Sequence, residues 1–166
     1  MAVGTLISVA EYLHTSYQPD CDYVDGEVQE RNLGELSHGR LQLRIGAWFL
    51  AREVRLGIKA VSEVRLQIRS RRFRVPDLMV LAAQSPREEI VTVAPLLCVE
   101  ILSKSDSLSL IWERIEDYFE IGVPVSWVID PVRHLAWTAT PGNLVKNTDG
   151  ILRSGDLEMP LAEVLE

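Results

Sequence analysis

The sequence has only two cysteines, Cys21 and Cys98, far apart and without CxxC spacing. That scarcity excludes a disulfide framework and a cysteine-based zinc site. Cys98 lies inside an apolar run and reads as a small core residue. No apolar run approaches the ~20 residues that a membrane span needs. The opening Met-Ala-Val-Gly-Thr-Leu-Ile-Ser has no basic start and its apolar stretch breaks at Glu11, so no signal peptide is expected and a cytoplasmic location is. There is no Gly-x-Ser-x-Gly elbow, no Walker loop, no Gly-x-Gly-x-x-Gly and no His-Glu-x-x-His, which leaves little support for other hydrolase chemistries or for nucleotide binding. Internal repeats, low-complexity segments and linkers are also missing. Positive charge is in short supply: 17 Lys and Arg against 24 Asp and Glu give a net charge of −7. That argues against a nucleic-acid coat or membrane-surface protein, but not against an enzyme that touches nucleic acid locally.

What is present is an ordinary globular composition, 47% apolar and 25% charged, in 166 residues. This length suits one domain over residues 1–166 with one sizeable core. Ser8 with Glu11 three residues on is a capping box for a short helix to about Thr15. Asp22 to Arg31 reads as a hairpin around Asp25-Gly26. From Gly34 to Arg55, Leu36, Leu43, Trp48 or Leu50, and Val54 recur at helical spacing, predicting one long helix ended by Gly57. Ile58 to Ile68 reads as a strand with Val64, Leu66 and Ile68 on one face. An arginine-rich turn over 70–72 follows, with a returning strand from Phe73 to Ala82. Pro95 to Leu102 is apolar on both faces, as central strands covered by helices are. Leu108 to Ile121 reads as an amphipathic helix closed by Gly122. Val125 to Ile129 reads as a buried strand, and Leu135 to Thr140 with Leu144 to Asn147 as a strand pair. Pro160 to Leu165 reads as a last helical turn. The order implies an α/β or α+β domain: a central mixed β-sheet flanked by helices, with an N-terminal β-hairpin.

Glu100 is the most informative residue. An ionised carboxylate in an apolar interior costs roughly several kcal/mol unless it is paired or bound to a metal. It stands in the middle of Leu-Leu-Cys-Val-Glu-Ile-Leu. Either it reaches solvent or a buried arginine, or it serves a site. Asp77 follows Pro76 where the next apolar strand begins. Alone it could be a turn residue. Together the two carboxylates sit on consecutive core strands, and neighbouring strands lie ~4.8 Å apart, so the side chains could share one hard cation such as Mg²⁺.

The ordered set of short motifs resembles the PD-(D/E)XK nuclease superfamily, with its restriction-endonuclease-like fold, and more closely the bacterial Uma family of endonuclease-like proteins. The marks are Tyr23-Val-Asp-Gly-Glu27, Glu35 and His38 at the start of the long helix, and Val75-Pro-Asp-Leu78. They continue with Val99-Glu-Ile-Leu-Ser103, Asp117-Tyr118 ahead of Gly122-Val-Pro124, and Trp127-Val-Ile-Asp-Pro131. The resemblance implies Mg²⁺ or Mn²⁺ held by Asp77 and Glu100, joined by the backbone carbonyl of Ile101 and by Glu35, for which an exposed helix-start acid favoured by the dipole is the alternative. It implies a site role for His38, for which a structural role is the alternative.

The superfamily motif ends in a lysine two residues past its acid; here Leu102 stands there. In the Uma family the lysine commonly sits on the following helix, and Arg114 occupies that position. Arginine cannot accept a proton, but it can offset charge developing on phosphorus. A bland alternative pairs it with Asp117 on the helix surface. Lys104 is the second catalytic candidate, with a solvated loop residue as its alternative. Arg65, Arg69, Arg72 and Arg74 could steer a DNA backbone or form a solvated polar edge. Two functions stand against each other: a metal-dependent DNA endonuclease, and a silent binding or scaffold relative that lacks the lysine. Trp127 and Trp137 are candidates for a homodimer surface.

Overall fold

The computed structural model describes residues 6–31, 34–104 and 106–165. Residues 1–5, on which part of the leader reading rests, lie outside that set. Ser8 caps α1 (Val9–His14), accepting from the Glu11 amide at 3.1 Å. Asp25 and Gly26, both at positive φ, turn the hairpin β1 (Asp22–Val24) to β2 (Glu27–Gln29). The chain continues through α2 (Leu36–Leu50), α3 (Glu53–Leu56), β3 (Ile58–Ser62), β4 (Leu66–Arg69), β5 (Arg72–Arg74), β6 (Leu78–Ala82) and β7 (Leu97–Ile101). It ends with α4 (Leu108–Ile121), β8 (Ser126–Asp130), β9 (Leu135–Thr140), β10 (Asn143–Lys146), β11 (Ile151–Ser154), β12 (Leu157–Pro160) and a 3-10 turn over Leu161–Glu163.

The central sheet has the order β10-β9-β8-β7-β6-β3. Only β7 and β8 run parallel, so the sheet is mixed as expected. A smaller sheet, β2-β1-β5-β4, carries the N-terminal hairpin. Strand alternation sorts the central residues onto two faces. Leu97, Val99 and Ile101 meet Leu41, Ile45 and Phe49 of α2 on one side. Cys98, Met79 and Val128 meet Ile111, Ile115 and Tyr118 of α4 on the other. Glu100 falls on the α4 face.

Several sequence expectations change. The strand expected over 58–68 is two strands in two sheets, because the chain turns at Glu63, held at φ 53°. The strand expected over 73–82 likewise divides. Pro76 has no amide to donate, which ends β5's ladder, and the chain enters the central sheet at Leu78. Asp77 therefore stands at the seam between the sheets. The long helix is broken at Ala51–Arg52, and of its expected stripe only Trp48, the alternative to Leu50, is buried. Leu36, Leu43, Leu50 and Val54 are exposed, whereas Leu41, Ile45, Trp48 and Phe49 form the buried face. The hairpin β11–β12 has no counterpart in the sequence reading; it places Leu152 and Met159 on the α2 side of the core. Trp127 is fully buried in that core and stacks on Phe49, so it cannot belong to a dimer surface. Among the described residues no helix is long and apolar enough to cross a membrane.

Gly57 ends α3 in the left-handed conformation, at φ 64°, and a Cβ at this position would meet nothing within 4 Å. The cost of a side chain there is therefore backbone strain alone. Gly57→Ala should lower stability by about 1 kcal/mol, read by thermal melting. An unchanged melting temperature would show that the helix end relaxes.

Candidate metal centre

Asp77 and Glu100 meet because of strand register. In the β6–β7 ladder Leu78 opposes Val99; one step outward on each strand, Asp77 faces Glu100. Both side chains are buried. Asp77 Oδ2 accepts from the Ile101 amide at 2.7 Å and lies 3.2 Å from His38 Nε2, while Oδ1 accepts from Arg31 Nη2. Gln42 Nε2 donates to the Asp77 carbonyl at 3.0 Å. Glu100 Oε1 accepts from the Tyr118 hydroxyl, and Oε2 accepts from Arg114 Nη1 at 3.3 Å. Arg114 Nε also reaches Asp22 Oδ2 at 3.2 Å. A cavity of about 100 Å³ opens onto Asp77, lined also by Arg31, His38, Gln42, Ile101 and Arg114, whereas Glu100 is buried behind it and does not line it.

The two acids are driven apart in proton affinity. Burial, then the charge of Asp77, push Glu100 up to about 7, against Arg114 and Arg31. Burial pushes Asp77 upward too, but the His38 bond and the Arg31 charge prevail and hold it below the usual carboxylate range. Burial lowers His38, yet its bond to Asp77 and that residue's charge carry it above its ordinary value. Environments that split the acids in this way are typical of sites that do acid–base or metal chemistry.

The structure thus brings together Asp77, Glu100, Ile101, His38 and Arg114, with Arg114 on Asp22 and Glu100 rather than on its helix neighbour Asp117. Glu35 sits at the N-cap of α2, makes no capping bond with its side chain and does not line the cavity. Glu63 does line it, held by Gln42 Nε2 at 3.3 Å. Lys104 is exposed and lines a neighbouring cavity.

The four hairpin arginines are committed to carboxylates. Arg65 grips Asp20 with two bonds of 2.7 Å and lies over the Tyr12 ring. Arg72 reaches Asp117 at 2.8 Å. Arg74 is buried between Asp22 and Asp117, out of reach of a DNA backbone. Arg69, paired loosely with Asp25 and Glu120, is the most exposed of the four. Sequence reasoning missed Arg31, Gln42, Glu63 and Asp22, and reached Tyr118 only as part of a motif. None carries a local signal of its partner: Arg31 lies 46 residues from Asp77.

Comparison with known proteins bears on the fold and the family. A crystal structure of a "putative nuclease belonging to DUF820" from Anabaena variabilis superimposes with a TM-score of 0.81, covering 95% of this chain and 97% of that one at 20% identity. That likeness shows a shared fold. No curated protein matches the sequence. The Uma2 family profile, described as "Putative restriction endonuclease", matches residues 9–154, which is most of the chain, and the protein belongs to that family.

Proposed function

We propose that the protein is a metal-dependent endonuclease that hydrolyses phosphodiester bonds of DNA at the Asp77–Glu100 centre, with Mg²⁺ or Mn²⁺ as its cofactor. One observation carries the reading: two buried carboxylates lie close enough at the β6–β7 seam that the charge of Asp77 acts on Glu100. Glu100 titrates near 7 even with Arg114 and Tyr118 bonded to it. A divalent cation between the two acids would relieve that repulsion.

The donor set fits such an ion. Asp77 and Glu100 supply hard oxygens, and the Ile101 carbonyl is the expected third donor. Among the described residues no group of three acidic, histidine or cysteine side chains could hold a metal. The ion would therefore rest on the acid pair, water and substrate phosphate, as Mg²⁺ commonly does. When bound, it supplies Lewis-acid polarisation of a phosphate oxygen and acidification of a water.

The chain's own residues do the rest. Arg114, in the lysine's place, keeps a permanent positive charge at the cavity wall to offset charge building on phosphorus. Asp22 fixes that guanidinium from behind. Arg31 does the same beside Asp77. His38, with its Nε2 on Asp77 and its proton affinity raised by that bond, can move a proton to or from a substrate oxygen.

A second reading, a silent binding or scaffold relative, has specific support: both carboxylates already carry a guanidinium, and Leu102 replaces the motif lysine. Cleavage of plasmid DNA in Mn²⁺, together with calorimetric Mn²⁺ titration, separates the two. The nuclease reading expects metal binding, EDTA-sensitive cleavage, and loss of both in Asp77→Ala. Cleavage that survives Asp77→Ala in purified protein marks a contaminant. Absence of metal binding favours the scaffold.

A further inference from the structure

The carboxylate cavity shares two wall residues, Ser103 and Asp106, with a second and larger cavity of about 470 Å³. This neighbour lies at the ends of β7 and β8. That size falls within the roughly 300–1,000 Å³ of pockets that enclose small molecules. Its walls are of two kinds. Trp137 and Leu102, both half-buried, give it an aromatic and an aliphatic side, and Leu135 adds to the latter. Lys104 and Arg133 give it two cations at exposed positions, Arg133 with its guanidinium on Asp130 Oδ2 at 3.1 Å.

The carboxylates in the same walls are tied down internally. Asp130 accepts from the amides of Val132 and Arg133 at 2.9 and 2.8 Å. Asp106 accepts from the Ser103 amide and hydroxyl at 2.7 and 2.8 Å. An indole with aliphatic backing and cations at the rim is the chemistry that stacks a nucleobase and holds its phosphate.

We infer that this cavity takes an unstacked nucleobase with its phosphate, next to the phosphodiester held at Asp77 and Glu100. The protein's substrate is accordingly single-stranded or locally opened DNA. This rests on the nuclease reading and adds the form of the substrate. A base inside a continuous duplex enters a pocket only by unstacking and unpairing, a cost that a single strand does not pay. Stacking on Trp137 is indifferent to base identity, since every base presents a π-face, so the pocket selects strand form rather than sequence. The position of Lys104 follows from this. It is too far round the wall to line the carboxylate cavity, but it is placed to meet a phosphate of the strand leading into it.

The test is fluorescence anisotropy with a short labelled oligonucleotide, single-stranded or annealed to its complement, in EDTA so that cleavage does not intervene. The wild type should bind the single strand at least ~10-fold more tightly than the duplex. Trp137→Ala should weaken single-strand binding ~10-fold, with Trp137→Phe near wild type. Lys104→Ala should weaken it too and flatten the salt dependence by ~0.7 in log–log slope. Because Lys104 is exposed, that variant reads the pocket even if Trp137→Ala fails to fold.

Equal or tighter duplex binding, no single-strand binding, or single-strand affinity unchanged in both folded variants overturns the inference. Mn²⁺-dependent plasmid cleavage, run in parallel, keeps the two claims apart. Cleavage without single-strand preference defeats the pocket and leaves the nuclease. Trp137-dependent single-strand binding without cleavage does the reverse.

Discussion

Glu100→Gln should melt at a higher temperature than wild type at about pH 8 and lose at least ~100-fold in cleavage rate, the scale for removing one electrostatic group from a catalytic centre. The stability half follows from linkage. Glu100 has a folded-state pKa of about 7, raised from 4.5. Between those values the folded protein holds a proton that the unfolded chain has released, so stability falls as pH rises through this window. Above about 7 the whole penalty is in force, at most about 3 kcal/mol for a shift of this size. Glutamine keeps the shape and an acceptor for the Tyr118 hydroxyl, and it removes the buried charge. It forfeits the ion pair with Arg114, but Arg114 retains Asp22 at 3.2 Å. The Arg114 pair is already counted in the shift of Glu100, so the gain approaches that same ~3 kcal/mol, or roughly 6–12 °C in a chain of this length.

Near pH 4.5 the variant and wild type should melt alike. Asp77→Asn should behave oppositely. That carboxylate is held ionised by His38 and Arg31, and removing its charge strands a buried guanidinium at a cost of about 3 kcal/mol. A Glu100→Gln protein less stable than wild type at the alkaline end would mean that Arg114 fully compensates Glu100, and the case for a cation-deficient pair would collapse.

The acid pair was legible in the sequence because charge in an apolar strand is a strong anomaly. Glu100 stood out among Leu97, Cys98, Val99 and Ile101, and Pro76 marked where Asp77 would begin a strand. Arg114 was reached through motif spacing, and the structure places it on Glu100. What was hidden has a common cause: it depends on which distant segments meet. Arg31 and Asp22 sit in and beside a hairpin that gives no sign of the carboxylates and guanidiniums it will approach. In α2, two stripes both satisfy helical periodicity. Leu36, Leu43 and Leu50 are as regular as Leu41, Ile45 and Trp48, and only the packed sheet selects the second set. Between Ile58 and Ile68 the alternation is regular only from Val64 on, and the polar pair Ser62-Glu63 does not by itself announce that Glu63 turns the chain into another sheet. The arginines from 65 to 74 read as one charged stretch, whereas the fold gives each a different burial.

Arg74 shows how much that difference is worth. Its guanidinium donates to Asp117 Oδ2 at 2.6 Å, to Asp22 Oδ2 and Gln29 Oε1 at 3.0 Å each, and to Glu113 Oε1 at 2.7 Å. It therefore ties β1, β2 and α4 to its own strand, β5, from a fully buried position. Arg74→Met keeps the apolar stem and removes the charge, leaving the carboxylates of Asp22 and Asp117 in the interior. Breaking a buried network in this way costs about 3–5 kcal/mol. The lower end is expected here, because Asp117 keeps Arg72 and Asp22 keeps the Val75 amide. Arg69→Ala, on the exposed side of the same stretch, should change stability by no more than ~0.5 kcal/mol. Chemical denaturation of both variants makes the comparison. Adding Asp22→Asn to Arg74→Met should recover part of the loss, since Asp22 is the buried carboxylate left with only one cation among the described residues, the guanidinium of Arg114, which it shares with Glu100. The damage should also reach the centre. With Arg74 gone, Arg114 is the cation left within ion-pair distance of Asp22 among the described residues, and the stronger pull draws Arg114 away from Glu100. Folded Arg74→Met should accordingly lose turnover more than substrate affinity. If it instead loses DNA affinity with stability intact, Arg74 contacts the substrate after all, and its buried network is not the one that holds the fold.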